Sequence, residues 1–579
     1  MTKAVRKLLS FLLIAVIMLS LVAPAIPVTS VMAAEESTVS ETQTGDLRFG
    51  VLSDIHVSYD YVDEVYGNVS GYFNGVQPGR FEKALRFFKA QGVEAVVVAG
   101  DLQEASGTDE ASLDKQKDWL QTVVDIWFKV FPEEKGEEGY VEPIFIYGNH
   151  DSALIAAQYW PEEWGTYEDA FVKSVNGYAF VCTHNAKENL AVPLLEKVAP
   201  DNQDKPIFYV QHCPVNNTVP GSTGGYGVGY GQTGRTNAAD YPNLVGFNGH
   251  THAPLTDEKS IWQGDAGNEG QFTIINTATI NYTGLNNDDM SVNSYAGNAQ
   301  QTEHGMIVDV TGSEVAVDRY SFNDMTIDTE SGTVSGEAVK LGQTWAWDAC
   351  DITDRPYAYD KRHETANAPV VAEGAEITVD AITDTSVKVT VPAASLTAPA
   401  GYSDMIESYV VEACNPTSGE VEATGRIATS YHVDDKADVY EASYAVTVTG
   451  LKPGTVYTLK AYAQEFFKKR SEPLCVEITT TGELTEYRVG DVNKDGVIDQ
   501  TDMEKLTAVL TSDTLIYNAA ADVDGNGVLE NRDIAELQAI LDASRVTYPE
   551  SEDLMDLVHQ VKLTGVSTSD KYQPVDYGT

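Results

Sequence analysis

The sequence predicts a multidomain chain: an α/β domain, then an all-β sandwich, then a small α-helical module built on two acidic loops. Three observations predict this order. Between residues 47 and 248, five short apolar runs each end abruptly in polar residues, and helix-length segments separate them. Beyond Ala368 the texture changes to alternating, half-apolar runs separated by turns. From Asp491 a twelve-residue acidic pattern begins that recurs 31 residues later.

In the first domain each run ends in residues of one chemical kind. Leu47 to Ser53 ends in Asp54-Ile55-His56, Ala95 to Ala99 in Gly100-Asp101, and Pro143 to Tyr147 in Gly148-Asn149-His150-Asp151. Ile207 to Gln211 ends in His212, and Asn243 to Asn248 in Gly249-His250-Thr251-His252. Continuous apolar runs suit strands covered on both faces, and the carboxyl ends of such strands gather distant loops at one edge. Asp54, His56, Asp101, Asn149, His212, His250 and His252 can then meet in one cleft. Seven oxygen and nitrogen donors exceed the needs of one four-coordinate metal and suit two metals sharing a carboxylate.

This ordered set resembles the calcineurin-like metallophosphoesterases over roughly residues 46–330. The resemblance implies a sandwich of two mixed β-sheets flanked by helices. It also implies that Asp54, His56, Asp101 and His252 hold one metal, that Asp101, Asn149, His212 and His250 hold the other, and that Asp101 bridges them. Such a pair, about 3.5–4 Å apart, activates a bridging hydroxide and clamps an in-line displacement at phosphorus. His150 would stabilise the transition state or protonate the leaving oxygen. Asp151 would either hold the His150 imidazole in its working tautomer or cap the following helix. The mixed imidazole, carboxylate and amide set fits Mn, Fe, Zn or Ni better than Ca or Mg. His56, and the Leu-Gln-Glu-Ala that follows Asp101, depart from the purple acid phosphatase pattern. Phosphate monoesters and diesters both fit what is left.

Around this domain the chain carries other signals. Basic residues before an apolar run from Leu8 to Val22, then Val31-Met32-Ala33, predict a secretory signal peptide over 1–33 and no membrane span after its cleavage. A net charge of −49 provides no basic stripe, which excludes general nucleic-acid backbone binding. Five scattered cysteines form no disulfide framework. Helical spacing over Arg80–Lys89 and Leu113–Val130 predicts helices that cover the sheet. The glycine-rich stretch from Gly221 to Arg235 offers Tyr226, Tyr230 and Arg235 as substrate-gripping candidates. Residues 331–366 are expected to connect, possessing no clear pattern beyond two Trp and two Tyr.

Residues 367–480 alternate in the manner of an immunoglobulin-like sandwich, and Leu451-Lys-Pro-Gly-Thr-Val-Tyr457 resembles the tyrosine corner of fibronectin type III domains. A spacer role is expected for it. In the third region, Asp491, Asn493, Asp495, Asp499 and Asp502, with the Val497 carbonyl, fall at calcium-loop positions 1, 3, 5, 9, 12 and 7. Asp522, Asp524, Asn526, Val528, Glu530 and Asp533 repeat them. An apolar helical stripe follows each loop and no helix precedes the first. The arrangement resembles a type I dockerin over 487–545, implying two Ca²⁺ ions and a cohesin partner that faces Gln500-Thr501 or Asn531-Arg532. Residues 546–579 carry no assignable pattern. The expected whole is an exported two-metal phosphoesterase mounted on an extracellular or cell-surface scaffold. The alternative is a noncatalytic anion-binding component of the same complex.

Overall fold

The computed structural model describes residues 46–544, apart from 59–76, 105–106, 166, 223–237, 239, 265–271, 287–291, 296–301, 400–404, 434–440, 483–488, 494–496, 512–517 and 519. The expected leader and the 546–579 tail, together with Asp495, Tyr226, Tyr230 and Arg235, lie outside the described residues.

Two six-stranded mixed sheets form the first domain. In one, β1 (Leu47–Leu52), β2 (Ala95–Ala99) and β3 (Glu142–Ile146) run parallel, and His304–Thr311, Glu314–Ser321 and Val339–Asp348 extend the sheet antiparallel beyond β1. In the other, β4 (Ala170–Val175), β5 (Tyr178–Thr183), β6 (Ile207–Val210), β7 (Leu244–Asn248), β8 (Ile261–Gln263) and β9 (Thr273–Asn276) are ordered 4-5-6-7-9-8, parallel from β5 through β9. Phe49 of β1 meets the rings of Phe180, Phe208 and Phe247 at 5.2, 5.0 and 5.9 Å, so the two sheets share one apolar core. Helices Gln77–Ala90 and Glu110–Val130 place Phe81, Leu85, Phe88, Trp119, Val123 and Trp127 against the outer face of the first sheet. That is why β1 to β3 read as unbroken apolar runs.

The segment expected to connect domains does more. Val339–Asp348 is the edge strand of the first sheet, and it sends Trp345 and Trp347 into the inter-sheet core. A register shift opposite Val317–Arg319 interrupts its alternation, which hid the strand in the sequence.

In the second domain, a three-stranded sheet (Thr378–Ile382, Ser386–Pro392, Ser443–Thr449) packs on a four-stranded one (Val421–Ala428, Ser408–Cys414, Val456–Gln464, Leu474–Thr479). The Tyr457 hydroxyl accepts the N–H of Lys452 at 3.0 Å, which is the tyrosine-corner bond. This sandwich is more than a spacer, because buried ions join it to the first domain. Arg319 and Arg362 both reach the Glu258 carboxylate, Lys259 pairs with Glu407 of the sandwich, and the Arg362 guanidinium lies 4.3 Å over Phe467. None of these five charged residues is more than 6% exposed.

The third region contains helices Gln500–Leu510 and Asn531–Ser544. Val492, Met503, Leu506, Ala521, Leu529, Leu537 and Leu541 form its small core. Among the described residues no helix is long and apolar enough to cross a membrane.

Candidate metal centre

The chain bends sharply after β1, β2 and β7. Asp54, His56, Asp101, His250 and His252 all have φ between 51° and 73°, a left-handed conformation that side chains rarely adopt and that surroundings must enforce. The glycines of the motifs have a separate, steric reason. A Cβ on Gly148 would overlap the Asp101 carboxylate, and one on Gly249 would sit 2.6 Å from Asp54 Oδ2.

All seven expected donors come together at these strand ends. Asp54, His56, Asp101 and His252 offer ligand atoms within 4.8 Å of one another, and so do Asp101, His212 and His250. Asn149 joins the second group, with Oδ1 2.9 Å from His212 Nε2 and 2.6 Å from His250 Nδ1. Asp101 belongs to both groups. Its Oδ2 is buried with no well-aligned hydrogen bond among the described residues, and it lies 3.6 Å from His56 Nε2 and 3.1 Å from His212 Nε2.

Hydrogen bonds behind the imidazoles decide which nitrogen faces inward. His212 Nδ1 donates to Ala99 O at 2.8 Å, His252 Nδ1 donates to Tyr282 O at 2.7 Å, and His56 Nδ1 lies 2.6 Å from Glu104 Oε2. The Nε2 atoms of His56 and His252 then face each other at 3.1 Å. Two imidazole lone pairs repel at that distance unless a cation or a proton lies between them. The acid–base balance says the same. Burial opposes charge at Asp54, yet His252, His56 and His212 hold its carboxyl well below the ordinary range. Against its own burial, Asp101 pushes His212 up to about 9. Among the described residues no lysine or arginine pairs with Asp54 or Asp101. The pocket thus favours positive charge, which no lysine or arginine among the described residues supplies, and its donor set fits two transition metals.

His150 stands beside this cluster with its ring 4.9 Å from that of His56 and its side chain 34% exposed. The expected pairing with Asp151 is absent. Asp151 instead accepts the backbone N–H groups of Gly148, Leu102 and Gln103 at 2.7, 3.1 and 3.0 Å, fastening the β2 and β3 loops together. Its burial and the neighbouring Asp101 push its carboxyl up to about 7. The helix that follows is capped by Ser152, not Asp151. The carboxylate on His150 is Glu104, whose Oε1 lies 2.6 Å from His150 Nδ1 while its Oε2 holds His56. Despite burial, the two imidazoles lower Glu104 to about 2. Sequence reasoning missed Glu104, although a carboxylate three residues after Asp101 on the same loop was a usable signal. It also missed Tyr282.

In the acidic loops, side-chain carboxylates fold back onto backbone N–H groups where described. Asp522, Asp524 and Asp533 offer oxygens within 4.8 Å of one another. Asp502 accepts the N–H groups of Asn493 and Asp499 at 3.0 and 2.9 Å, and Asp533 accepts those of Val523 and Glu530, both at 2.8 Å. Gln500, Thr501, Asn531 and Arg532 are all exposed on the first turns of the two helices. Thr501 Oγ1 bonds Asp499 at 2.6 Å, and Arg532 pairs with Asp524 at 3.2 Å.

Comparison with known proteins agrees. Residues 47–254 match the family model described as calcineurin-like phosphoesterase, and residues 489–542 match the dockerin type I domain. No curated protein matches the chain at a significant level. Among solved structures, a dimetal phosphatase from Danio rerio shares 11% identity, covering 47% of this chain and 95% of its own, with a TM-score of 0.30. Vps29 from Entamoeba histolytica, complexed with Zn²⁺, shares 13%, covering 51% and 100%, with a TM-score of 0.21. The FN5 domain of Drosophila Lar shares 16%, covering 20% and 99%, with a TM-score of 0.13. With overall likeness this low, the assignment rests on the two family models. The chain carries a calcineurin-like phosphoesterase domain, which makes it a metal-dependent phosphoesterase, together with a type I dockerin domain.

Proposed function

We propose that the chain hydrolyses phosphate mono- or diesters at a two-metal centre, outside the cell, while its dockerin holds it on a cohesin-bearing scaffold. The observation that carries this reading is that the donors form two groups sharing Asp101, one with Asp54, His56 and His252 and one with His212 and His250, to which Asn149 is joined. In this reading Asp54, His56, Asp101 and His252 hold one divalent transition ion, and Asp101, Asn149, His212 and His250 hold the other. When bound, such a pair supplies Lewis acidity toward a phosphoryl oxygen and an activated water.

The chain's own residues position and protonate. Glu104 fixes His150 through Nδ1, leaving Nε2 as the atom available to a leaving oxygen or a phosphoryl oxygen. Although burial opposes it, Glu104 and Asp101 raise the His150 pKa, which favours the protonated form a donor needs. Asp151 keeps the two loops in register. In the dockerin, Asp491, Asn493, Asp495, Val497, Asp499 and Asp502, and likewise Asp522, Asp524, Asn526, Val528, Glu530 and Asp533, would each enclose a Ca²⁺. Cohesin would then dock on Gln500-Thr501 or Asn531-Arg532. The extracellular setting follows from the leader pattern and from the usual place of dockerins.

The test is hydrolysis of paired chromogenic mono- and diesters with added Mn²⁺. The wild type should cleave at least one, and His150→Ala should keep its metal while losing about 10²-fold or more in kcat. A wild type that binds two metals yet cleaves neither ester would favour the anion-binding role.

A further inference from the structure

The two halves of the centre are covered differently. Asp54 and His56 are fully buried and His252 is 3% exposed, whereas in the other half His212 is fully buried but Asn149 is exposed and His250 only half-buried. What lies over the buried half is Tyr282. Its carbonyl takes the His252 Nδ1–H at 2.7 Å, and its ring lies 4.0 Å from the His252 ring and 5.2 Å from that of His56. The loop that presents it is tied down. Gly284 N donates to His252 O at 2.9 Å, Asn281 N donates to Thr279 Oγ1 at 2.9 Å, and Arg80 donates to Asn281 Oδ1 at 3.2 Å.

We propose that Tyr282 is a positioning residue that locks the His252 and His56 imidazoles at the Asp54 half of the centre. This rests on the two-metal reading above. The carbonyl and the ring do separate jobs. A carbonyl on Nδ1 fixes which His252 nitrogen carries the hydrogen, but a single hydrogen bond leaves the ring free to turn about it. The Tyr282 ring removes that freedom by packing on both imidazoles at once, so the Nε2 atoms stay aimed into the cluster. Substitution leaves the carbonyl in place and removes only the ring, so the two jobs can be separated. Phenylalanine keeps the ring, which makes it the rescuing substitution.

The experiment uses the full chain with saturating Ca²⁺, so that the acidic loops stay filled. Wild type, Tyr282→Phe, Tyr282→Leu and Tyr282→Ala are stripped by chelation, reloaded with Zn²⁺, and followed for metal stoichiometry and for release to a chromophoric chelator. Wild type and Tyr282→Phe should each hold two equivalents with the same release rates. Tyr282→Ala and Tyr282→Leu should release one equivalent about 10- to 100-fold faster and keep the other unchanged. Their kcat should fall at limiting metal and recover with excess metal, with KM unmoved. Two equivalents held by the alanine and leucine variants as tightly as by wild type would overturn the proposal, and the leucine variant decides if the alanine variant does not fold. A wild type that binds fewer than two equivalents would instead sink the two-metal reading itself.

Discussion

Two clusters of buried charge, one inside the first domain and one where the sandwich meets it, serve opposite ends. Around Glu258 each carboxylate is paired with a lysine or arginine of the protein: Arg319, Arg362 and Lys259 meet Glu258 and Glu407, with Trp345 and Phe467 rings covering the guanidinium groups. Around Asp101, among the described residues, the cationic side chains on Asp54, Asp101 and Glu104 are imidazoles, with no lysine or arginine paired to them. A buried ion set that closes on itself joins parts together, and one that stays open marks the place of something still to be bound. Backbone conformation separates them as well, since the strained residues crowd into the open cluster and none of the five closed-cluster charges has positive φ.

The comparison can be broken at the closed cluster first. Glu258→Ala leaves Arg319 and Arg362 buried without their carboxylate and should cost about 3–5 kcal/mol. Thermal unfolding followed in both domains would show the loss, and metal content should not change. Should the variant lose metal but not stability, the division of labour between the clusters would be wrong.

Glu465, beside the same interface, sharpens it through pH. Burial and the nearby Glu407 raise its folded pKa from 4.5 to about 7. The folded state therefore binds this proton more tightly than the unfolded one. That contribution to stability is full below about 4.5 and is lost as pH rises through 7, up to about 3 kcal/mol in all. Glu465→Gln, which keeps an acceptor for the N–H groups of Phe467 and Lys469, should flatten this dependence and gain stability at pH 8. An unchanged profile would remove the effect.

The smallest expected change lies away from both clusters. Tyr457→Phe deletes the tyrosine-corner bond to Lys452 and should cost about 1 kcal/mol. Because Glu407 and Phe467 belong to the same sandwich, a much larger loss, or one that reaches ester hydrolysis, would mean the interface relays strain to the centre.

How much was legible followed from how local each signal is. Asp54, His56, Asp101, Asn149, His212, His250 and His252 each close an apolar run, so strand and ligand appear in one short stretch. The acidic loops are more local still, and Tyr457 sits six residues beyond Leu451 in a compact motif. Partners drawn from elsewhere in the chain were hidden. Asp151 adjoins His150 in sequence, but the fold turns it toward backbone and brings in Glu104. Tyr282 lies 30 residues beyond the histidine it holds. Glu258, Lys259 and Arg362 look like surface charges until the second domain packs over them. The edge strand Val339–Asp348 was masked by its register shift.

The central claim is that the open cluster holds two metals through Asp101. Its most direct test is the metal content of the Ca²⁺-saturated full chain after reloading with Mn²⁺ or Zn²⁺, wild type against Asp101→Ala, with ester hydrolysis measured on the same samples. The account predicts two transition-metal equivalents in the wild type, fewer in Asp101→Ala, and a fall in hydrolysis on the order of 10³-fold or more. Equal metal content and equal turnover in the two proteins would contradict it.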